Sequence, residues 1–404
     1  MKIAVIGCGL VGSLIARLAT SEKIAEEVAC FDKDPDRAKK YLSYPDPLDI
    51  PIVEADALNL EAFSGTLSNY DYLVNALPTF IKKDKKEILL NPLLMSVALK
   101  ANINYVDLAC YGGKRKRAEQ LSMAKQFLSQ GLLALINMGV SPGLANILAR
   151  EAYEDLEEVD ELSIMTLEDQ KGSTFVIPWS REEMLNVASI DLAYKNKQFF
   201  FREPFAEARV CNFPEPIGSI RCYSVSNDEA YTIPSLLKIN SFAYLAGGSD
   251  IEMLRALYRL GFFEDTPIKI RKTYVSPREF LYYVLQTPIS PDYVLKVMQE
   301  GDLEDAQFAL QVKAIGNISG EKAVSTRYIL FPGQRTINKV LPGATYITYP
   351  TALSLVAVLR AVKGKRLKGV LPGELLPRPI RRIVLDYIRG KKIHIGEEFK
   401  TIIE

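Results

Sequence analysis

The chain has 404 residues, 48% of them hydrophobic and 25% charged, with a formal net charge of +1. That length exceeds what one small core organises, so two domains are expected. The balanced charge, without a run of five like charges, removes electrostatic support for a nucleic-acid role.

The N-terminus opens with the short apolar β run Lys2–Ile6, followed by Gly7-Cys8-Gly9-Leu10-Val11-Gly12 and an amphipathic helix to about residue 21. This is a dinucleotide fingerprint in its proper setting. Gly7 permits the tight turn, Gly9 lets the backbone approach a pyrophosphate, and Gly12 lets the helix close on the strand. The next apolar strand, EEVACF, ends in Asp32, 20 residues after Gly12, where a ribose-binding carboxylate belongs. A carboxylate there repels a 2′-phosphate, which favours NAD. Lys33 and Arg37 follow directly and could ease a phosphate in, so NADP stays open.

The alternation continues along the chain. PIVEADALN reads as a strand ending near Asp56 and Ala57, suited to flank an adenine. DYLVNALPTF reads as a buried strand ending at Asn75, Ala76, Leu77 and Pro78, further along the cofactor. A helix (LLNPLLMSVALKA), a strand (NYVDLAC), a helix (AEQLSMAKQFLSQ) and the strand LLALIN follow. The basic run KRKR at 114–117 reads as the start of a solvated helix. Strands alternating with helices at this spacing predict a doubly wound parallel α/β sheet, with ligands at the carboxyl ends of its strands.

From about 150 to 345 the texture changes. ELSIMTLE, AQFALQVKAIGNI and EKAVSTRYILF read as strands of a mostly antiparallel or mixed sheet, with helices at REEMLNVASIDLAYKN and DIEMLRALYRLG. The apolar helix YPTALSLVAVLRAVKG packs back on the first domain. At the crossing lies a second glycine turn, NMGVSPGLANILAR. Gly139 and Gly143 allow sharp excursions and Pro142 stiffens the turn. The helix after it aims its N-terminus at the cleft, either as a carboxylate or phosphate site or as a plain interdomain hinge.

Five cysteines (Cys8, Cys30, Cys110, Cys211, Cys222) are odd in number and lack CxxC spacing. A disulfide framework or a metal site is not expected, and a cytoplasmic location fits. Cys110 reads as a small buried hydrophobe. The N-terminal run is broken by glycines and lacks a cleavage region, and ALSLVAVLRAV is short and carries Arg360, so neither secretion nor membrane spanning is expected. The single histidine, His394, sits near the C-terminus. Histidine acid–base chemistry is therefore not expected unless the tail reaches the active site.

Gly7-x-Gly9-x-x-Gly12, NYVDLACYG and GVSPGLAN together resemble the saccharopine dehydrogenase-like reductases, a group with saccharopine reductase, lysine 6-dehydrogenase and carboxynorspermidine dehydrogenase. VIPWSREEMLNVASIDLAYKNKQ, VCNFPEPIGSIRCYSVSNDEAYTIP and the C-terminal ATYITYPTALSLVAVLRAVKGKRLKGVLPGELL extend the likeness over nearly the whole chain. The resemblance implies a Rossmann domain (1–135 and 345–404) with an inserted α/β mixed-sheet domain for substrate and dimerisation (136–344). It also implies a homodimer and NAD(P)-dependent oxidation at a C–N bond of a saccharopine- or lysine-type amino acid, or of a related amine, with the imine then hydrolysed. Carried over position by position, Gly7, Gly9, Leu10, Val11 and Gly12 hold the pyrophosphate and Asp32 the ribose. Asp56 and Ala57 lie by the adenine, and Asn75, Ala76, Leu77 and Pro78 further along. Asp107 faces the nicotinamide edge, and Trp179, Ser180 and Glu229 line the cleft. The sequence departs from relatives at Met138 and Ser141, where some carry cysteine or aspartate. It departs again at Asn227 and Asp228, where many carry histidine, and this leaves substrate identity open.

An alkyl ammonium titrates near 10.4, so the site must help it lose a proton. Asp107 is the first candidate for that base, with Glu229, a lysine or a tyrosine as alternatives. Asp107 could instead cap the turn at 111–113, Glu229 could be half of a structural ion pair, and Trp179 could be core. With Gly143 at the second turn, one of Arg202, Arg221 and Arg255, Arg221 foremost, would bind a substrate carboxylate. Two other classes fit the motifs: aminoalkyl transfer with bound NAD, as in homospermidine synthases, and a non-enzymatic nucleotide sensor.

Overall fold

A computed structural model describes residues 1–44, 48–83, 86–110, 119–172, 174–285, 290–303 and 305–402. The basic run at 114–117 and the turn at 111–113 lie outside the described residues.

Seven parallel strands form the first sheet, in the order Gly369–Pro372, Leu133–Ile136, Asn104–Asp107, Tyr72–Asn75, Lys2–Ile6, Glu27–Asp32, Ile52–Glu54. The order reverses between Lys2–Ile6 and Tyr72–Asn75, and at such a switch point a crevice opens beyond the carboxyl ends of the strands. The strands are buried almost throughout, as expected of a sheet covered on both faces. Helix Leu10–Ser21 and the apolar helix Thr348–Val362 pack together on one face. Helix Leu90–Ala101 packs on the other face. The α/β parallel sheet read from the sequence is the observed one.

The second sheet is mixed and has nine strands. At its centre Glu158–Asp169 pairs antiparallel with Gln307–Ile318 and parallel with Ile239–Gly247. The chain enters it through helix Leu144–Glu154 and returns at Thr348–Val362, so the second domain is an insertion in the first.

Four expectations need correction. The strand expected to reach Asp56 and Ala57 stops at Glu54, and Ala57–Phe63 is a 3₁₀ helix capped by the Asp56 side chain. The helix expected over 181–196 ends at Val187, and Asp191–Lys195 is a strand. Asn196 and Lys197 both take positive φ, at 51° and 61°. They form the two-residue turn that a tight hairpin demands, and Gln198–Arg202 pairs back on Asp191–Lys195. The C-terminal segment, expected with the first domain throughout, ends in strand His394–Thr401 of the second sheet, paired with Glu321–Leu330. Finally, Cys8 and Cys30 form a disulfide with Cα atoms 6.0 Å apart. Parallel pairing sets Val5 beside Cys30, so the turn that follows Ile6 passes over it. Among the described residues, no helix is long and apolar enough to cross a membrane.

Candidate functional site

The first glycine turn has the shape that a dinucleotide requires. Gly7 sits at φ +89°, a region that disfavours side chains. A Cβ on Gly12 would lie 1.9 Å from the Gly7 carbonyl oxygen, whereas one on Gly9 would meet nothing within 4 Å. Helix and strand therefore close at Gly12, and open space is left over Gly9. No side chain caps the helix at Gly9, so its first N–H groups and the positive end of its dipole face that space. Asp32, buried at the end of its strand, accepts from the Cys8 backbone N–H at 2.7 Å and the Asp34 N–H at 2.9 Å. Arg37, half-exposed, reaches the same carboxylate at 3.2 Å.

From this turn a cleft of about 480 Å³ runs between the domains, within the size range of small-molecule sites. Gly7, Gly9, Leu10, Val11, Asp32, Ala76, Leu77 and Pro78 line it, as do Trp179 and Ser180. Gly12 is buried behind the turn and shapes it instead. Asn75 is buried too, and its side chain binds the Leu77 N–H and the Tyr105 hydroxyl, which fixes the loop that lines the cleft. Asp56 is exposed on its 3₁₀ cap and, like Ala57, lies outside the cleft wall.

The second turn presents Ser141 to the cleft. The Asn137 N–H donates to Asp107 Oδ1 at 2.7 Å and the Met138 N–H to the Asp107 carbonyl at 2.9 Å. Ser141 Oγ donates to Glu229 Oε1 and lies 2.9 Å from the Tyr244 hydroxyl. Glu229 is fully buried in the first turn of helix Glu229–Leu236, and its Oε2 has no hydrogen-bond partner among the described residues. Burial, with repulsion from Asp228 and Glu374, outweighs the Ser141 hydrogen bond and pushes its pKa up to about 8.

Asp107, expected as the proton acceptor, does not line the cleft. It is 1% exposed and enclosed by donors: Oδ2 accepts from Asn91 at 2.8 Å, Gln120 at 2.6 Å and Tyr105 at 3.0 Å, while Oδ1 holds the second turn. A carboxylate this fully used anchors the backbone. Asp107→Ala would leave several buried donors unpaired, and a loss of about 3 kcal/mol or more in urea unfolding is expected.

Gly143 also sits behind the cleft wall. At φ +127° it packs on Gly139, and its N–H is taken by Asn146 Oδ1 at 2.7 Å. Arg221 lies exposed on strand Ser219–Ser224, away from the cleft. Arg202 is tied to Asp191 and Glu207, and Arg255 lies over the Tyr223 ring. The three arginines considered for a carboxylate clamp therefore share no place in the cleft: Arg202 and Arg221 are carried elsewhere on strands Gln198–Arg202 and Ser219–Ser224, and Arg255 on helix Ser249–Arg259. His394 opens the last strand, against the Tyr328 ring.

Sequence reasoning missed Glu168, Arg181 and Glu183, which line the cleft. Arg181 and Glu183 follow Ser180, the N-cap of helix Arg181–Val187, so a capping motif beside Trp179 was the available signal. Glu168 gave none, since its strand alternates in the ordinary way.

Residues 3–135 match the family model described as the saccharopine dehydrogenase NADP binding domain. Saccharopine dehydrogenase (L-Glu forming) from Saccharomyces cerevisiae is similar over 100% of both chains, with a TM-score of 0.67 at 13% identity. Homospermidine synthase from Legionella pneumophila, solved in complex with NAD, is similar over 99% of this chain and 91% of its own. Its TM-score is 0.66 at 14% identity. At these identities the two structures establish the shared fold.

Proposed function

We propose that this chain, whose nucleotide-binding domain matches that of the saccharopine dehydrogenase family, is an NAD(P)-dependent oxidoreductase acting on a C–N bond of an amino acid or amine. One observation carries the reading: the dinucleotide turn and the unpartnered Oε2 of Glu229 belong to the same cleft. The space over Gly9 and the uncapped helix N-terminus suit a pyrophosphate, Asp32 a ribose, and the Ala76, Leu77 and Pro78 loop the ring beyond it. A nicotinamide nucleotide held there supplies the hydride acceptor for the carbon that bears the nitrogen. Glu229 takes the ammonium proton, with Ser141 holding Oε1 so that Oε2 meets the amine. Ser141 and Tyr244 keep that carboxylate in place, and Asp107 positions the turn that carries Ser141.

Screening lysine, saccharopine, ornithine and diamines with NAD and with NADP, read at the reduced-nucleotide absorbance band, tests this. Reduced nucleotide from at least one of them is expected; none from any would refute it. A transferase that regenerates its bound NAD would also give no signal, and aminoalkyl products would identify it.

Asp32 sets the nucleotide preference. Like charges about 4 Å apart cost up to about 4 kcal/mol at an effective dielectric near 20, so a 2′-phosphate beside Asp32 is disfavoured and NAD is preferred. Asp32→Ala is expected to weaken NAD more than NADP in a titration. An equal loss for both would place the ribose elsewhere.

A further inference from the structure

We infer that Glu374 is a positioning residue: from behind the cleft it holds together the two elements that carry Ser141 and Glu229. The inference rests on the oxidoreductase reading for its kinetic consequence, but its geometry stands apart from it. The segment GVLPGELL places Glu374 in the short 3₁₀ turn Gly373–Leu375, directly after strand Gly369–Pro372 of the parallel sheet. Its side chain is buried and does not line the cleft.

One oxygen of this carboxylate collects two donors from the second domain. Asn146 Nδ2 donates to Glu374 Oε1 at 2.6 Å, and the Thr232 hydroxyl donates to the same atom. Asn146 Oδ1 in turn accepts the Gly143 N–H at 2.7 Å, which fixes the turn that presents Ser141. The two turns are also in close contact, since a Cβ on Gly373 would stand 3.0 Å from the Gly143 carbonyl oxygen. Thr232 follows Glu229 by three residues on helix Glu229–Leu236, and so lies on the same side of it. Both partners of the Ser141–Glu229 hydrogen bond are thereby tied to one buried carboxylate.

The second sign is electrostatic. Glu374 Oε2 is buried with no hydrogen-bond partner, and among the described residues no lysine or arginine pairs with Glu374 or Glu229. A carboxylate buried without a cation costs stability, and a neutral amide would accept from Asn146 and Thr232 in the same place. The charge itself therefore has a use: it repels the charge that Glu229 acquires on losing its proton. The titratable groups that face Glu229 are Asp228 at the start of its own helix, Tyr244 on strand Ile239–Gly247 and Glu374, with Glu168 acting on Tyr244. Behind burial and Asp228, Glu374 adds to what keeps the Glu229 proton bound.

The test is a carbon-13 NMR titration of the full chain labelled at its glutamate carboxyls, with the Glu229 signal assigned by its loss in Glu229→Gln. The wild-type signal is expected to titrate at about 8. Glu374→Gln removes the charge and keeps the acceptor, whereas Thr232→Val keeps the charge and removes one tie, which lets water reach Glu229. In both, the Glu229 titration should fall by at least about one pH unit, and the rising limb of the kcat profile should move with it. Thr232→Ser, which keeps the hydroxyl, should match the wild type. The two variants lie on different elements, so one that fails to fold does not decide the matter. An unchanged titration in either folded variant, or an equal fall in Thr232→Ser, overturns the inference. Nucleotide reduced by the wild type while the titrations stay put also overturns it and leaves the oxidoreductase reading standing. Titrations that move, with no nucleotide reduced from any amine, uphold the hold of Glu374 on Glu229 and remove that reading.

Discussion

Glu229→Gln is expected to lower kcat for amine oxidation by at least about a hundredfold while NAD affinity changes by less than about threefold. Glutamine keeps the shape and can still accept from Ser141, but it cannot take a proton. The pH dependence follows from the residue's surroundings. Because Glu229 titrates at about 8, the wild-type rate should rise with pH through that value and continue upward as free amine becomes available toward about 10. The variant's rate should lose the first of these limbs. A rate profile flat between pH 6 and 10 in the wild type would remove Glu229 from the mechanism.

The same carboxylate makes a prediction about stability whose sign is opposite to that of a salt-bridged acid. The folded state holds the Glu229 proton up to about 8, whereas an unfolded chain releases it near 4.3. Between those values the folded state binds more protons, so stability is full at the acid end and declines as pH rises through the window. The Glu229→Gln protein escapes that decline. Its advantage over the wild type in urea unfolding should grow from pH 5 to pH 8, by up to about 4 kcal/mol, and then level off. Ser141 lessens the effect, since its hydrogen bond favours the ionised form.

Gly12→Ala is the second change of large expected effect. Its methyl would stand 1.9 Å from a backbone carbonyl oxygen and 3.1 Å from the Ala76 Cβ, and no side-chain rotation relieves either contact. Helix Leu10–Ser21 must lift off the sheet, so both thermal stability and nucleotide binding should collapse, the latter by about a hundredfold or more. Gly9→Ala separates the two consequences. With nothing within 4 Å of the new methyl, the nucleotide-free protein should melt within a few degrees of the wild type, while NAD affinity falls sharply. If Gly9→Ala bound NAD normally, the pyrophosphate would not lie over this turn.

The dinucleotide half was legible in the sequence because its signals are short-range. Gly7, Gly9, Gly12 and Asp32 follow from the local needs of one strand, one turn and one helix, and a parallel sheet leaves a plain rhythm of apolar runs. What escaped depends on partners distant in the chain. Cys8 and Cys30 meet only because their strands pair in parallel. Asp107 looked like a reactive carboxylate at a strand end, and its donors Asn91, Gln120 and Asn137 come from three other segments. The arginines of the second domain were judged by composition, whereas strand pairing places Arg202 and Arg221, and the packing of helix Ser249–Arg259 places Arg255. Glu229 was legible through its motif, but its partner Ser141 lies 88 residues away.

The route of the backbone has a practical outcome for anyone wishing to isolate the nucleotide-binding half. The polypeptide passes between the two sheets three times: after Ile136, before Thr348 and again beyond Gly390. A fragment stopped at residue 135 would lack its outermost strand, Gly369–Pro372, and the helix that covers Leu10–Ser21. Excising the inserted portion would in turn deprive Glu321–Leu330 of its neighbour His394–Thr401. Dissection into autonomous pieces is thus expected to yield aggregates, and rejoining the flanking stretches by a short linker is the route to a minimal coenzyme-binding unit.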